Sequence, residues 1–536
     1  MTTDSVTETP PQPSRRAALG LAAAGGVALT GIAPAAAAFA APPALPLAPV
    51  MPEGISDLAG GLELASSRAW HLARRVAPAA TKAVVKEINT AGYNAWIDKQ
   101  LKPRSISDAK ADALVKKYLG FTNMTGKQVV KASHDMAWKA GKALSISRTV
   151  RHVFTKRYLY ESMVDTMGDH LYVAAEGKCE DLVAWYDWAV LRKYALGKFS
   201  TMLYNAMRHP AMLVYLDNQL NSKDNPNENL GRELLELHTV GVGNYDETDV
   251  RQSALILTGH GYNWEQRAYH YEPGDHYTGP VTVMGFSHPN ATAADGPALL
   301  KSYLWYLAHH PGTAHRIAHR LAVRYVSDNP PPALVDRLAK VYLDNGTNLA
   351  PVMRVLLLSK EFTNSIGEKW KRPQETMATM IKARVPSTLK PAAKQTGDIW
   401  AITGTVQWLL YLENHQPRMW PVVNGYPDQA PAWMGTQALL AHFYSANARV
   451  NWGNDKEFPS KSWARALGIT KGMTAEAAAA RITGDLTGFT WNAKHLAVVT
   501  ARIKGDGPSK LTGDQITANL GKTIHFVLCS PYFKIR

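Results

Sequence analysis

Cysteine is nearly absent from this 536-residue chain: it has two, Cys179 and Cys529, and neither stands in a Cys-x-x-Cys pair. Zinc held by paired thiolates is thereby excluded. In an oxidising compartment the two can form one disulfide that ties the middle of the chain to its end, or remain two separate buried thiols; spacing leaves both open. A long apolar run is missing after the first 40 residues, so nothing there reads as a membrane span. Charge is not bunched. The 59 Lys+Arg exceed the 44 Asp+Glu to give +15, but the excess is scattered, and no basic arm points to nucleic acid. Alternating strand and helix signals are also missing, which excludes a parallel α/β sheet. The patterns HExxH, GxSxG and the EF-hand loop do not occur at the charged segment discussed below, and no serine sits on a recognisable nucleophile elbow.

What is present begins at the N-terminus. Arg15-Arg16 precedes an Ala/Gly-rich, moderately apolar run that ends at Ala38-Phe39-Ala40, a small-residue cleavage site. Residues 1–40 therefore read as a twin-arginine signal peptide, and residues 41–61 as a Pro-rich, disordered leader. The expected location is secreted or extracytoplasmic. That route carries folded proteins, often with a cofactor already loaded, but the sequence names no cofactor. An exported protein of charge +15 is drawn to anionic polymers of the cell envelope.

Apolar residues recur at helical spacing through most of the remaining chain. The expectation is an all-α fold: a large helical body in two sub-domains, residues 62–385 and 386–536, with a small β-hairpin insert near residues 269–289, where aromatic and polar residues alternate around Pro-Gly and Thr-Gly-Pro turns. Thr512-Gly-Asp-Gln515 reads as a capping box for a terminal helix. An apolar helix followed by Ser-x-x-Phe occurs twice, at 352–364 and 523–535, and marks two sub-domains that end alike, with a boundary near Pro386 to Pro391. The 15 Trp and 22 Tyr suit a carbohydrate platform, but most are expected in the core.

The densest charged segment is NENLGRELLELHTVGVGNYDETDVRQSALILTG, from Asn227 to Gly259. On a straight helix Leu230, Leu234 and Leu237 share one side. Glu228, Asn229, Arg232, Glu233 and Glu236 take the opposite arc, with Arg232 between the carboxylates of Glu228 and Glu236. A glycine turn follows, and Asp246 with Asp249 caps a second helix. One reading is the solvated face of an αα-hairpin. The other is a site in which Glu233 and Glu236 form a carboxylate pair or, with histidines from elsewhere, ligate a metal. Asn229 and Gly231 weaken the helix without adding solubility, so the expectation is that Arg232 and Glu233 turn inward, toward His170 and the region of His276. Candidate catalytic residues are then Glu233, Glu236, Arg232 and His170. Candidate substrate contacts are Glu228, Asn229, Asp249 and His276.

This segment, with RHPAMLVYLDN before it and HHPGTAHRIAHRLAVRYVSDNPP and GYPDQAPAWMGTQALLAHFYSAN after it, resembles the large bacterial family called domain of unknown function 1800. The resemblance runs over essentially the whole mature chain. It implies an exported helical protein without an assigned activity, and as a partner an exported protein of a sulfatase- and phosphatase-like family. Three polar positions depart from the family pattern. Thr166-Met-Gly-Asp-His170-Leu stands where the family carries Phe-Trp-His-Asn-His-Phe, so only the second histidine is kept. His260 replaces a tryptophan, and His276-Tyr277 replaces His-Asp.

His170, His260, His270, His276, His309 and His310 lie in segments flanking the hairpin. They read either as metal ligands or as caps, surface residues and satisfied core histidines; no pair has ligand spacing. Two functions fit: an extracytoplasmic enzyme acting on an envelope or extracellular polymer through the Glu/Arg/His site, or a non-catalytic envelope-binding or scaffold protein that works with an exported partner.

Overall fold

The computed structural model describes residues 62, 64–118, 121, 123–133, 138–384, 399–451 and 462–536. Residues 1–61, expected from sequence to be a signal peptide and leader, and the segment around Pro386 to Pro391 lie outside them. Within residues 53–536 the chain forms one compact unit, built of helices with two short strand pairs. The all-α expectation is met.

The helices that frame the site are α1 (Arg68–Val76), α2 (Trp138–Phe154), α3 (Tyr158–His170), α4 (Phe199–Met207), α5 (Glu228–Glu233) and α6 (Glu247–Ile256). After the strands come α7 (Gly296–His309), α8 (Pro311–Tyr325), α9 (Pro332–Asp344), α10 (Pro373–Arg384) and, near the end, α11 (Gly513–Leu528). Helix α8 shows why these segments fold as they do. His310 accepts from the Gly312 N–H as N-cap, Pro311 takes the first helical position, and Ala314, Ile317, Ala318, Leu321, Ala322 and Tyr325 form the buried stripe. At α11 the capping box between Thr512 and Gln515 forms as expected.

Two large apolar cores result. The first gathers residues from Ala69 to Phe362, and the second those from Trp370 to Ile535 together with Ala79 and Val153. The repeated Ser-x-x-Phe endings fall one to each core: Ser359 and Ser530 are N-caps of short helices whose Phe362 and Phe533 are fully buried. Apolar packing thus changes hands between Phe362 and Trp370.

The β insert is larger than a single hairpin over 269–289. It holds two antiparallel pairs, β1 (His260–Asn263) with β2 (Ala268–Tyr271) and β3 (Val281–Val283) with β4 (Phe286–His288). The first pair begins nine residues earlier than the aromatic alternation suggests, because His260 and Tyr262 are the inward residues of β1.

The cysteines form no disulfide. The Cys179 thiol donates to the Ala211 carbonyl at 3.4 Å inside the first core. Cys529 is the C-cap of α11, and burial pushes its thiol up to about 12. Of the two arrangements open to the sequence, separate thiols is the one observed.

Charged side chains bridge the two cores in the interior. Arg324 of α8 reaches Glu375 of α10 at 2.8 Å with one nitrogen and Asp428 at 2.8 Å with the other. Arg372 pairs with Asp169 of α3 at 2.7 Å, and Arg536 approaches Glu375 at 3.4 Å. Burial pushes the Glu375 carboxyl up, but Arg536, Arg324 and Arg372 outweigh it and hold it down to about 2. Its folded pKa lies below the unfolded one, so its contribution to stability is full above about pH 4.5 and is lost as pH falls toward about 2. Arg324→Met removes the partner that two buried carboxylates share, leaving as ion pairs only the longer contacts of Glu375 to Arg536 and of Asp428 to Arg372, and should lower stability by about 3–5 kcal/mol. Denaturant unfolding at neutral pH measures this, and a loss below about 1 kcal/mol would show that the network is dispensable.

Candidate functional site

The helical hairpin forms as expected, but its first helix is not straight. Asn227 is the N-cap of α5, accepting from the Asn229 N–H at 3.0 Å. At Leu234 the backbone opens into a π turn, Leu234–His238. The Thr239 hydroxyl and the Gly241 N–H then close on the carbonyls of Leu234 and Leu235. A π turn inserts a residue into the helical ladder, and such turns recur at functional sites. Gly231 explains its own presence: a Cβ there would stand 3.0 Å from the Ala254 nitrogen, so α5 and α6 pack backbone to backbone. Opposite it, Asp246 and Asp249 make the capping box of α6 at 2.9 and 3.1 Å.

The charged arc divides into an outer and an inner set. Arg232 makes two 2.7 Å hydrogen bonds to Glu247 and one of 3.2 Å to Glu228. These side chains are 34, 67 and 40% exposed, so the ladder lies on the solvated face. The expectation that Arg232 turns inward is corrected. Glu247 on the second helix offers it a two-pronged partner, and the π turn carries Glu236 off the face where an i+4 partner would stand. Glu228 belongs to the same outer ladder. Asp249 is likewise a structural tie: besides the cap, it accepts from the Met284 N–H at 2.7 Å and pins the insert to α6. Asn229 is half-buried, and its N–H is spent on the cap.

Glu233 and Glu236 form the inner set with Tyr245 and Arg316. The Tyr245 hydroxyl donates to Glu236 at 2.9 Å. Arg316 of α8 donates through Nε to the Leu237 carbonyl at 3.0 Å, and Glu236 and Tyr245 act on its guanidinium electrostatically. No hydrogen bond from a described residue reaches the Glu233 carboxyl. Desolvation, with the like charge of Glu236 added and Arg232 opposing, pushes it up to about 7.

His170 does converge on the hairpin, in a different role from the one expected. Its Nε2 bonds the His238 carbonyl at 3.0 Å, and His238 Nδ1 bonds the His170 carbonyl at 2.9 Å. Both partners are carbonyls, so both nitrogens donate. Burial lowers both rings, His170 well below the ordinary range and His238 to about 4. Two neutral imidazoles thus clamp the end of α3 to the π turn and carry no charge at neutral pH.

His276 is not part of this group. It is buried in the insert, with Nδ1 2.8 Å from the Thr258 carbonyl and Nε2 3.1 Å from Asn290 Oδ1. Its role is to hold the loop between β2 and β3. The other histidines disperse as well: His260 bonds the Tyr269 hydroxyl, His270 is exposed, His309 is half-buried and bonds the Trp305 carbonyl, and His310 is a cap. Among the described residues no group of three or more His, Cys, Asp or Glu could hold a metal ion.

Tyr245, Arg316 and His238 escape the sequence reading. Arg316 carried a usable signal, because HRIAHRLAVR repeats arginine every four residues along α8. Tyr245 and His238 carried none that separates them from ordinary loop and core positions.

In comparisons with known proteins, residues 71–535 match the family described as "Protein of unknown function (DUF1800)". No curated protein and no solved structure matches.

Glu233 binds its proton more tightly in the folded state. That state is favoured below about pH 4.5, and the advantage fades as pH rises through about 7. Glu233→Gln should therefore raise stability at about pH 8 by on the order of 1–2 kcal/mol, after allowance for solvent screening at its exposed edge, and change little at about pH 4. Arg232→Ala should cost only about 0.5–1 kcal/mol, as expected of an exposed pair. Melting temperatures of the two variants across this pH range test both statements; a pH-independent Glu233→Gln effect would refute the first.

Proposed function

The chain belongs to the DUF1800 family, whose function is unknown, and from that premise we propose that it is an extracytoplasmic enzyme in which Glu233 donates a proton to the leaving group of an envelope or extracellular polymer. The observation that carries this reading is the Glu233 carboxyl, half-buried next to the π turn beside Glu236 and with its pKa pushed up to about 7. A general acid works best with a pKa near the working pH. In a hydrolytic step Glu233 gives its proton to the departing oxygen, and Glu236, oriented by the Tyr245 hydroxyl, takes one from the attacking water. Arg316 supplies positive charge beside them, and the His170–His238 clamp keeps the turn in place. The twin-arginine signal and the +15 charge support export and an anionic surrounding.

A second reading is an envelope-binding or scaffold protein without catalysis, working with an exported protein of the sulfatase- and phosphatase-like kind. It is favoured by the outer ladder, since Arg232, Glu228 and Asp249 are spent on hydrogen bonds that hold the hairpin and insert together.

Protein purified after native export, checked for bound metal and then screened against cell-wall glycans and ester-linked polymers, separates the two. The enzyme reading expects Glu233→Gln to lower the rate by about 10²–10⁴-fold. It expects Glu228→Gln to leave the rate within about twofold. Because the acid must be protonated, the wild-type rate should fall as pH rises through about 7. A Glu233→Gln variant as active as the wild type would remove the assignment, and binding without turnover across the panel would favour the second reading.

A further inference from the structure

Away from the hairpin, a cleft of about 640 Å³ opens between the turn Pro103–Ser105, the start of α3 and a second π turn, Asp187–Arg192. Its lining includes Lys102, Arg104, Arg157, Arg192 and Lys193, with Ser105 and no carboxylate. Two of the cations are held rigidly. Arg192 makes bonds of 2.6 and 2.8 Å to Glu161, a fully buried residue beneath the cleft, and Arg157 donates through Nε to the Ile106 carbonyl at 2.9 Å. Lys102, Arg104 and Lys193 are exposed, and no described carboxylate lies within ion-pair distance of them. The acids nearest to them along the chain are engaged elsewhere: Asp98, on which Lys102 acts only electrostatically, pairs with Arg354 at 2.7 Å, Asp108 accepts from Thr155 and the Lys156 N–H, and Asp187 pairs with Arg148 at 2.8 Å. Elsewhere on the surface Arg337 and Lys340 are matched by Glu361 and Asp344.

We propose that this cleft binds a phosphate group carried on a polyanionic chain. Low-dielectric walls lined with one sign of charge concentrate counter-charge. Two of the three exposed cations are lysines, point charges that approach a tetrahedral oxyanion from separate directions, and the Ser105 hydroxyl adds a further donor. A planar carboxylate is better served by a single arginine fork. A polymer, rather than a small ion, fits because exposed Lys156 and Lys198 adjoin the lining residues Arg157 and Gly197 and carry the positive charge beyond the cleft. The inference is independent of proton transfer at Glu233 and holds whether or not the protein is an enzyme.

The test is binding of long-chain inorganic polyphosphate to the full mature protein, followed by calorimetry at low and high salt. The double variant Lys102→Glu/Arg104→Glu should bind at least about tenfold more weakly, and salt should weaken the wild-type complex. Lys301→Glu/Lys494→Glu, with the same net-charge change at exposed positions elsewhere, should lose less than about twofold. Lys193→Gln provides a milder check should the double variant melt early. No binding by the wild type, an equal loss in both double variants, or equal affinity for polygalacturonate, a carboxylate polyanion, would each overturn the proposal.

Discussion

The guanidinium of Arg324, gripped by Glu375 on one side and Asp428 on the other, is the contact on which the rest of the architecture depends. Each of the two apolar cores is held by non-directional burial, which fixes no orientation between them. The ion network does. Arg324 comes from a helix of the first core, Glu375 from a helix of the second, and Arg372 runs back to Asp169 at the end of α3. Desolvating so many charges is expensive unless every one is met in good geometry. Here the bonds of 2.7–2.8 Å are short, and the neighbouring arginines hold the buried carboxyls of Glu375 and Asp428 below the usual carboxylate range.

Helix α8 extends this constraint to the hairpin. Arg316, Arg320 and Arg324 stand four residues apart on one face. Arg324 ends in the ion network, Arg320 is within electrostatic reach of Asp169 and Asp428, and Arg316 holds the Leu237 carbonyl at the π turn. From the other side the His170–His238 clamp ties the same turn to α3, whose Asp169 belongs to the network. The half-buried Glu233 carboxyl therefore sits beside a turn fixed at two points by the deepest polar structure in the molecule. An unpaired, desolvated carboxyl persists in a fold only where the surroundings hold it.

The basic cleft follows the same logic in the opposite sign. Glu161 neutralises Arg192 from below and orders the wall, while the exposed lysines and arginine at the rim keep their charge for whatever enters. A charge of +15 spread over a chain says little, and its meaning comes from where carboxylates fail to meet the cations.

The all-helical class, the caps at Thr512 and Asp246 and the paired Ser-x-x-Phe endings were legible in the sequence. Each depends on neighbours within one or two turns, and local propensity and periodicity record such neighbours directly. The direction of Arg232 was not legible, because its partner Glu247 lies 15 residues on, across a turn, and a π turn removed Glu236 from the face that straight-helix geometry assigns it. Nor was the separation of His276 from the hairpin, since the insert follows the hairpin directly in the chain and only its two strand pairs decide what the loop between them touches. The ion network pairs residues as far apart as Asp169 and Arg372, 203 positions from each other, and charge in a sequence carries no mark of burial. The sequence by itself determined that the chain is helical and where capped helices such as those after Asp246 and Thr512 start. The tertiary structure alone decided which charges lost their water, because desolvation is a property of packing and not of any stretch of chain.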